Sequence, residues 1–301
     1  MVSQFEQDSF VKALFARSGS TIHSVVESGC SFPNFHCNSQ LFFQESSCDC
    51  FLIEGKLDCV QAWREYLSLN NFPAKVNILS EFIQYRPTGL SDALSKLPSL
   101  PNDFDVFFFD INGGEYQLFS NQFQYRPKLI CVEYDNAYPL CIDHVPQFFG
   151  CSPNYGQASS LAFFKMMEER HYIYVRSFFQ DHIFISQEFY ESSNLSEDTH
   201  FLAGREAFLH YAADALYDPI AVFTNQMQGE CAKSFKFYSD KLDSLLFNDS
   251  HQSASFLFSY LLTMIKVSAN VIQSKRDVTY ASEFASLKKS FIEKYSPLIL
   301  V

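Results

Sequence analysis

The sequence predicts an α/β fold, a seven-stranded and largely parallel sheet followed by a helical extension. Short runs of buried-type residues alternate with amphipathic stretches between about residues 21 and 186, the pattern of a parallel sheet built from βα units. Several of those runs close on a carboxylate: Val25-Val26-Glu27, Leu52-Ile53-Glu54, Phe108-Phe109-Asp110 and Cys131-Val132-Glu133. Acids are thereby delivered to the carboxyl edge of the sheet, where open α/β sheets bind their ligands. After about residue 188 the strand signal fades, and the polar connector Ser192–Asp198 leads into helical periodicity from about 203 to 297. The domains expected are residues 1–190, carrying the sheet, and 191–301, a helical extension.

In chain order, Phe5, Phe10, Val11, Leu14 and Phe15 share one helical face, so residues 4–17 read as a leading helix ended by Ser18-Gly19-Ser20. A first strand, 21–27, runs into Ser28-Gly29-Cys30, where a nucleotide-binding fold would place its glycine-rich turn. Residues 35–44 read as a helix with Asn34 as cap. Strand 50–55, the amphipathic helix 57–69 with Trp63, and strand 75–79 complete one half of the sheet. Pro87, Gly89, Pro98 and Pro101 surround a short helix, 90–97.

The stretch FFFDINGGEYQLF, 107–119, organises the domain. A continuous apolar run is the mark of a strand buried on both faces. Here it ends in Asp110, turns through Gly113 and Gly114, and enters a new amphipathic segment at Glu115. A capping Asp sits directly before the first helical turn; the two glycines between Asp110 and that segment favour a site role instead. A fifth strand, 128–134, precedes a long irregular loop, 135–155, that holds Asp143, His144 and Tyr155. Loops of that length in compact domains commonly bind or cover ligands. Helix 157–170 and strands 172–176 and 182–186 close the sheet.

Hydrophobic residues make up 47% of the chain, with 34 Phe and 16 Tyr, enough for a sizeable core. The net charge of −12 argues against nucleic acid or an anionic membrane as partner. The amino-terminal MVSQFEQDSFVKALF has no basic-then-apolar plan, and Phe256–Val267 is too short to span a bilayer. A cytoplasmic protein is the expectation. Of the nine cysteines, Cys30, Cys37, Cys48, Cys50 and Cys59 crowd the first quarter without paired C-x2-C spacing, and several lie in strand-like sequence, which favours buried thiols over zinc. No G-x-G-x-x-G, P-loop, HExxH or GxSxG pattern is present. Histidine has its unperturbed pKa near ~6.5, suited to proton abstraction, and His144 is the candidate base by residue type. Carboxylates at neighbouring strand ends could hold a metal, but the sequence fixes no geometry for one, and none is assigned.

FLIEG (51–55), NDFDVFFFDINGGEY (102–116), KLICVEYDN (128–136) and NYGQASSLAFFKMMEERHY (154–172) together resemble, in that order, the S-adenosylmethionine-dependent methyltransferases related to the FkbM-type enzymes. The resemblance covers roughly residues 21–186 and implies a Rossmann-like seven-stranded methyltransferase sheet. It implies S-adenosylmethionine as cofactor, with Glu27, Gly29, Glu54, Asp110, Asn112 and Gly113 around it and Glu54 on the ribose hydroxyls. Glu115 and Tyr116 match the same motif as Asp110. Glu133 and Tyr134 match the family's acid and aromatic on the acceptor side, with Asp110 as a catalytic group, and Ser159 lies near the serine of the family's helix start; by residue type alone, His144 is added as a catalytic group and Tyr155 to the acceptor side. Two positions depart from the pattern. The first turn, ESGCSFPNFH, lacks the second and third glycines, and Asn112 stands where the family has an Asp.

Two readings follow. The first is a methyltransferase acting on an oxygen of a small molecule or glycan, the extension covering the acceptor side or mediating self-association. The second is a binding or scaffold protein that keeps the fold without the cofactor.

Overall fold

A computed structural model describes residues 3, 6–35, 37–120, 123–135, 143–146, 157–178 and 180–217, and every structural statement below concerns these. They fall into two compact units. One holds the sheet and its helices; residues 143–144, 159–161 and 204–217 belong to the other.

The first unit opens with helix α1 (Gln7–Ser18), strand β1 (Ser24–Ser28) and a short 3-10 turn, Gln40–Gln44. Strand β2 (Asp49–Glu54), helix α2 (Leu57–Leu69), strand β3 (Lys75–Ser80) and helix α3 (Gly89–Leu94) follow. Next come β4 (Val106–Phe109), α4 (Glu115–Ser120) and β5 (Leu129–Glu133). Helix α5 (Ser160–Glu169), of which residues from Ala162 on belong to this unit, strands β6 (Tyr172–Phe178) and β7 (Asp181–Ser186) and helix α6 (Gln187–Glu191) complete it. Helix α7 (Gly204–Tyr217) belongs to the second unit. The expected helical course beyond residue 217 lies outside the described residues, as does most of the 135–155 loop, Tyr155 included.

The seven strands are ordered β3-β2-β1-β4-β5-β7-β6. Strands β1 to β5 are parallel, and β7 runs antiparallel to both β5 and β6. The chain builds outward from β1 to β3, then returns to place β4 against the other side of β1. The crevice beyond the carboxyl ends of β1 and β4 is thus the topological switch point of a Rossmann-like sheet.

Burial follows position in the sheet. All of β1, β4, β5 and β7 is buried, whereas edge strand β3 is half exposed. Successive strand side chains point to opposite faces. Val25, Leu52, Val106, Phe108, Leu129 and Ile185 pack on one face with Val11 and Phe15 of α1 and with Phe43 and Trp63. On the other, Phe107 stacks on Phe109 at 5.0 Å and on Phe123 at 6.1 Å. The run of three phenylalanines therefore supplies both halves of the core. Cys30, Cys37, Cys48, Cys50, Cys59 and Cys131 are buried thiols.

Residues 35–44 differ from expectation. Only 40–44 coil, as a 3-10 turn, and Asn34 sits at φ 61 rather than capping a helix. The cause is long-range. Glu27 at the end of β1 takes the main-chain N–H groups of Asn38 and Ser39, and an α-helix through these residues would need them elsewhere.

Candidate functional site

The site begins where β1, β2 and β4 end. Gly29 extends the ladder by donating to the Ile53 carbonyl at 2.9 Å. It has φ +87, and a Cβ there would lie 1.6 Å from the Asp110 carbonyl oxygen. Only glycine lets the β1 and β4 exits run this close. Beside it, the Glu54 carboxylate accepts from the main-chain N–H of Ser31 at 2.9 Å and of Lys56 at 2.8 Å. One side chain thus pins both the β1 turn and the start of α2. Each carboxylate oxygen has a second acceptor direction left.

These exits surround a cavity of about 440 Å³, whose walls include Gly29, Ser31, Glu54, Phe82, Ile83 and Asn112. That volume is within the ~300–1,000 Å³ range of small-molecule sites. Phe82 is 61% exposed and meets Tyr85 edge-on at 6.0 Å. The cavity therefore combines a carboxylate, main-chain groups and an aromatic flank. Trp63 reports on it: its Nε1 donates to the Ser31 carbonyl at 2.8 Å.

Glu27 is placed elsewhere. Fully buried, it accepts from Asn38 N (2.7 Å), Ser39 N (2.9 Å), Ser39 Oγ (2.5 Å) and Cys37 Sγ (3.0 Å). Burial raises its pKa and the Ser39, Cys37 and Asn38 bonds pull it back. It anchors the 37–39 loop and is not among the cavity's walls. Asn112 (φ 60) and Gly113 (φ 122) form the left-handed turn after β4, with Asn112 on the cavity wall.

A second group lies at the carboxyl ends of β4 and β5. Asp110, Glu115 and Glu133 each bring an oxygen to within 4.8 Å of the others. Glu115 is 0% exposed and Glu133 4%. Glu115 Oε1 accepts from the main-chain N–H of Ile111 and of Gly113, both at 2.9 Å, and so shapes the turn between Asp110 and α4. Glu133 Oε1 accepts from Gln180 Nε2 at 2.6 Å. Asp181 is paired with Glu133 in the β5–β7 register and accepts from Gln7 Nε2 at 2.6 Å. No ion pair among the described residues reaches Glu115, Glu133 or Asp181.

Low dielectric and mutual repulsion raise these acids' proton affinity. Burial, then the Asp110 charge, pushes the Glu115 carboxyl up to about 7 against its main-chain bonds. Burial and then Asp110 push Asp181 to about 7 as well. Glu133 is raised furthest, by burial, by the charges of Asp110 and Glu115, and by a hydrogen-bonding approach to Asp110. Two carboxyls that close need a shared proton or a cation between them.

Tyr134, expected at the acceptor side, is 1% exposed. Its ring stacks on His182 at 3.9 Å, nearly parallel. His182 Nδ1 bonds Ser177 Oγ, which also bonds the Tyr174 hydroxyl at 2.7 Å. Burial holds the His182 pKa well below its usual value. In the second unit, the His144 N–H donates to Ser159 Oγ and the Ser159 N–H to the His144 carbonyl, both at 2.9 Å.

Sequence reasoning missed Ser31, Lys56, Phe82, Ile83 and Tyr85 in the cavity wall, and Gln180 and Asp181 beside the acids. The apolar-aromatic stretch after β3 was the available signal for Phe82 and Ile83. Gln180 and Asp181 depend on the β5–β7 register, which no local pattern gives.

Solved structures similar to this chain include several methyltransferases and the [4+2]-cyclase SpnF. The match to one from Aquifex aeolicus covers 60% of this chain and 87% of that one, at 14% identity and a TM-score of 0.36. The plantazolicin methyltransferase BpumL, solved with S-adenosylhomocysteine, matches over 42% of this chain and 44% of its own, at 14% identity and a TM-score of 0.30. The chain thus spans less than half the length of that protein. The O-methyltransferase of a Brevibacillus brevis polyketide synthase, also solved with S-adenosylhomocysteine, matches over 95% of this chain and 83% of its own, at 12% identity and a TM-score of 0.36. At these identities and TM-scores, none of these likenesses says what this chain does. No protein family matches the chain, and no curated protein does. No helix among the described residues is long and apolar enough to cross a membrane.

Proposed function

We propose that this protein is an S-adenosylmethionine-dependent methyltransferase acting on an oxygen of a small molecule or glycan. The observation that carries the reading is the cavity of about 440 Å³ at the switch point with the Glu54 carboxylate in its wall. Its residues fit a nucleoside. Glu54 has acceptor directions for two ribose hydroxyls, Phe82 and Ile83 offer apolar surface to a base, and the main chain at Gly29 approaches closely. The cofactor, when bound, supplies an already activated methyl group on a sulfonium cation, so the protein's task is mostly positioning.

Asp110 continues from β4 past Gly29, beside the cavity residues Ile111 and Asn112. Its carboxyl is the candidate proton acceptor for an acceptor hydroxyl. His144 keeps the role of second candidate base on residue type alone, and Tyr155 that of an acceptor-side residue.

One observation favours the second reading. Glu27, which the family pattern brings to the cofactor, is occupied by the 37–39 loop. Trp63 separates the two readings, because it is the chain's sole tryptophan and is bonded to a cavity-wall residue. S-adenosylhomocysteine should produce a saturable change in its emission. An unchanged spectrum up to millimolar ligand would favour the scaffold.

A further inference from the structure

We propose that Asp110, Glu115 and Glu133 form a binding site for a hard divalent cation, Mg²⁺, Mn²⁺ or Ca²⁺, at the carboxyl ends of β4 and β5. The inference goes beyond the methyltransferase reading and does not depend on it.

The first ground is spacing. One oxygen from each residue lies within 4.8 Å of the other two. Around an ion with metal–oxygen bonds of ~2.1 to ~2.4 Å, octahedral ligand oxygens lie ~3 to ~4.8 Å apart, so the three fit one shell with little movement. An all-carboxylate set without His or Cys selects hard cations over zinc.

The second ground is independent of spacing. Glu115 and Glu133 are each held by one oxygen, Glu115 by two turn N–H groups and Glu133 by Gln180. The remaining oxygen of each, Oε2, has no protein donor although both side chains are nearly fully buried. Buried polar atoms are ordinarily satisfied, and a buried charge is paired or bound to a metal. One oxygen fixed by the protein and the other left for the ion is how supporting hydrogen bonds orient metal ligands. No ammonium or guanidinium does this work for Glu115, Glu133 or Asp181 among the described residues. The competing arrangement is a proton shared between Asp110 and Glu133, which predicts no metal affinity.

The test is titration of chelator-treated full-length protein into Mn²⁺, following the six-line electron paramagnetic resonance signal of the free ion. One equivalent should vanish from the spectrum, and excess Mg²⁺ or Ca²⁺ should restore it. Glu133→Gln and Glu115→Gln should each weaken Mn²⁺ at least ~10-fold with an unchanged far-ultraviolet circular dichroism spectrum. Glutamine keeps an oxygen for the Glu115 turn bonds. Gln180→Ala leaves every ligand in place and should weaken binding too, a loss that covers the case in which a ligand variant fails to fold. No stoichiometric loss of signal in the wild type would overturn the proposal in favour of the shared proton. So would binding that survives Glu115→Gln, Glu133→Gln and Gln180→Ala, since the ion would then lie elsewhere. The readout needs no S-adenosylmethionine, so its failure and failure of the methyltransferase reading are separate results.

Discussion

Replacing Glu54 by glutamine probes fold and site at once, because the same carboxylate serves both. In the wild type its oxygens accept from Ser31 N at 2.9 Å and Lys56 N at 2.8 Å. Glutamine offers one oxygen, so one of these N–H groups must face an amide NH₂. The side chain is 7% exposed, so water does little to compensate. A hydrogen bond to a charged group contributes ~1.5–3 kcal/mol, and the variant should lose about 2 kcal/mol of stability. That is a fraction of the ~5–15 kcal/mol of an ordinary domain, so the fold should survive. A ribose hydroxyl donating to the same carboxylate would lose a similar amount, or about 10- to 100-fold in affinity for S-adenosylhomocysteine. Denaturant unfolding followed by Trp63 fluorescence reads the first loss and calorimetric titration the second. Full ligand affinity in a folded, destabilised variant would confine Glu54 to a structural role. Unchanged stability would contradict the two turn bonds themselves.

Gly29→Ala should destabilise the protein by at least ~3 kcal/mol in denaturant unfolding, since it combines positive-φ strain with a Cβ 1.6 Å from the Asp110 carbonyl oxygen. Near-wild-type stability would show that the two strand exits can separate freely. His182 predicts a pH effect. Its folded pKa is held well below the usual value, so below ~6.5 the unfolded chain binds a proton that the folded one refuses. Its contribution is fully present above that pH and is lost as pH falls, by up to ~1.4 kcal/mol per pH unit. His182→Phe keeps a ring against Tyr134 and should flatten the stability profile relative to wild type below that pH. Parallel profiles would contradict a neutral buried imidazole.

The fold was legible where one residue run carried one message. Val106–Phe109 reads as a strand buried on both faces because every position is apolar, and Leu57–Leu69 reads as a helix because its apolar residues recur at helical spacing. The 35–44 segment was misread because its structure is dictated by Glu27, a residue of the preceding strand. The same bond explains why a motif position expected at the cofactor is a loop anchor. Glu54 and Asp110 were legible as strand-end acids, but their grouping was not. Glu54 joins the cavity, whereas Asp110 joins Glu115 and Glu133, an arrangement that depends on the turn folding back through Gly113. Asp181 and Gln180 enter only through the antiparallel register of the last strands. Tyr134 shows the limit of residue type, because the aromatic expected at an acceptor pocket stacks instead against a buried histidine.

The most direct test of the methyltransferase reading is calorimetric titration of the full-length protein with S-adenosylmethionine and S-adenosylhomocysteine at two temperatures, so that a chance zero enthalpy is not mistaken for no binding. The cavity at the switch point predicts one saturable site of micromolar affinity for both ligands, weakened in Glu54→Gln. No heat from either ligand at both temperatures would contradict it and favour the scaffold reading.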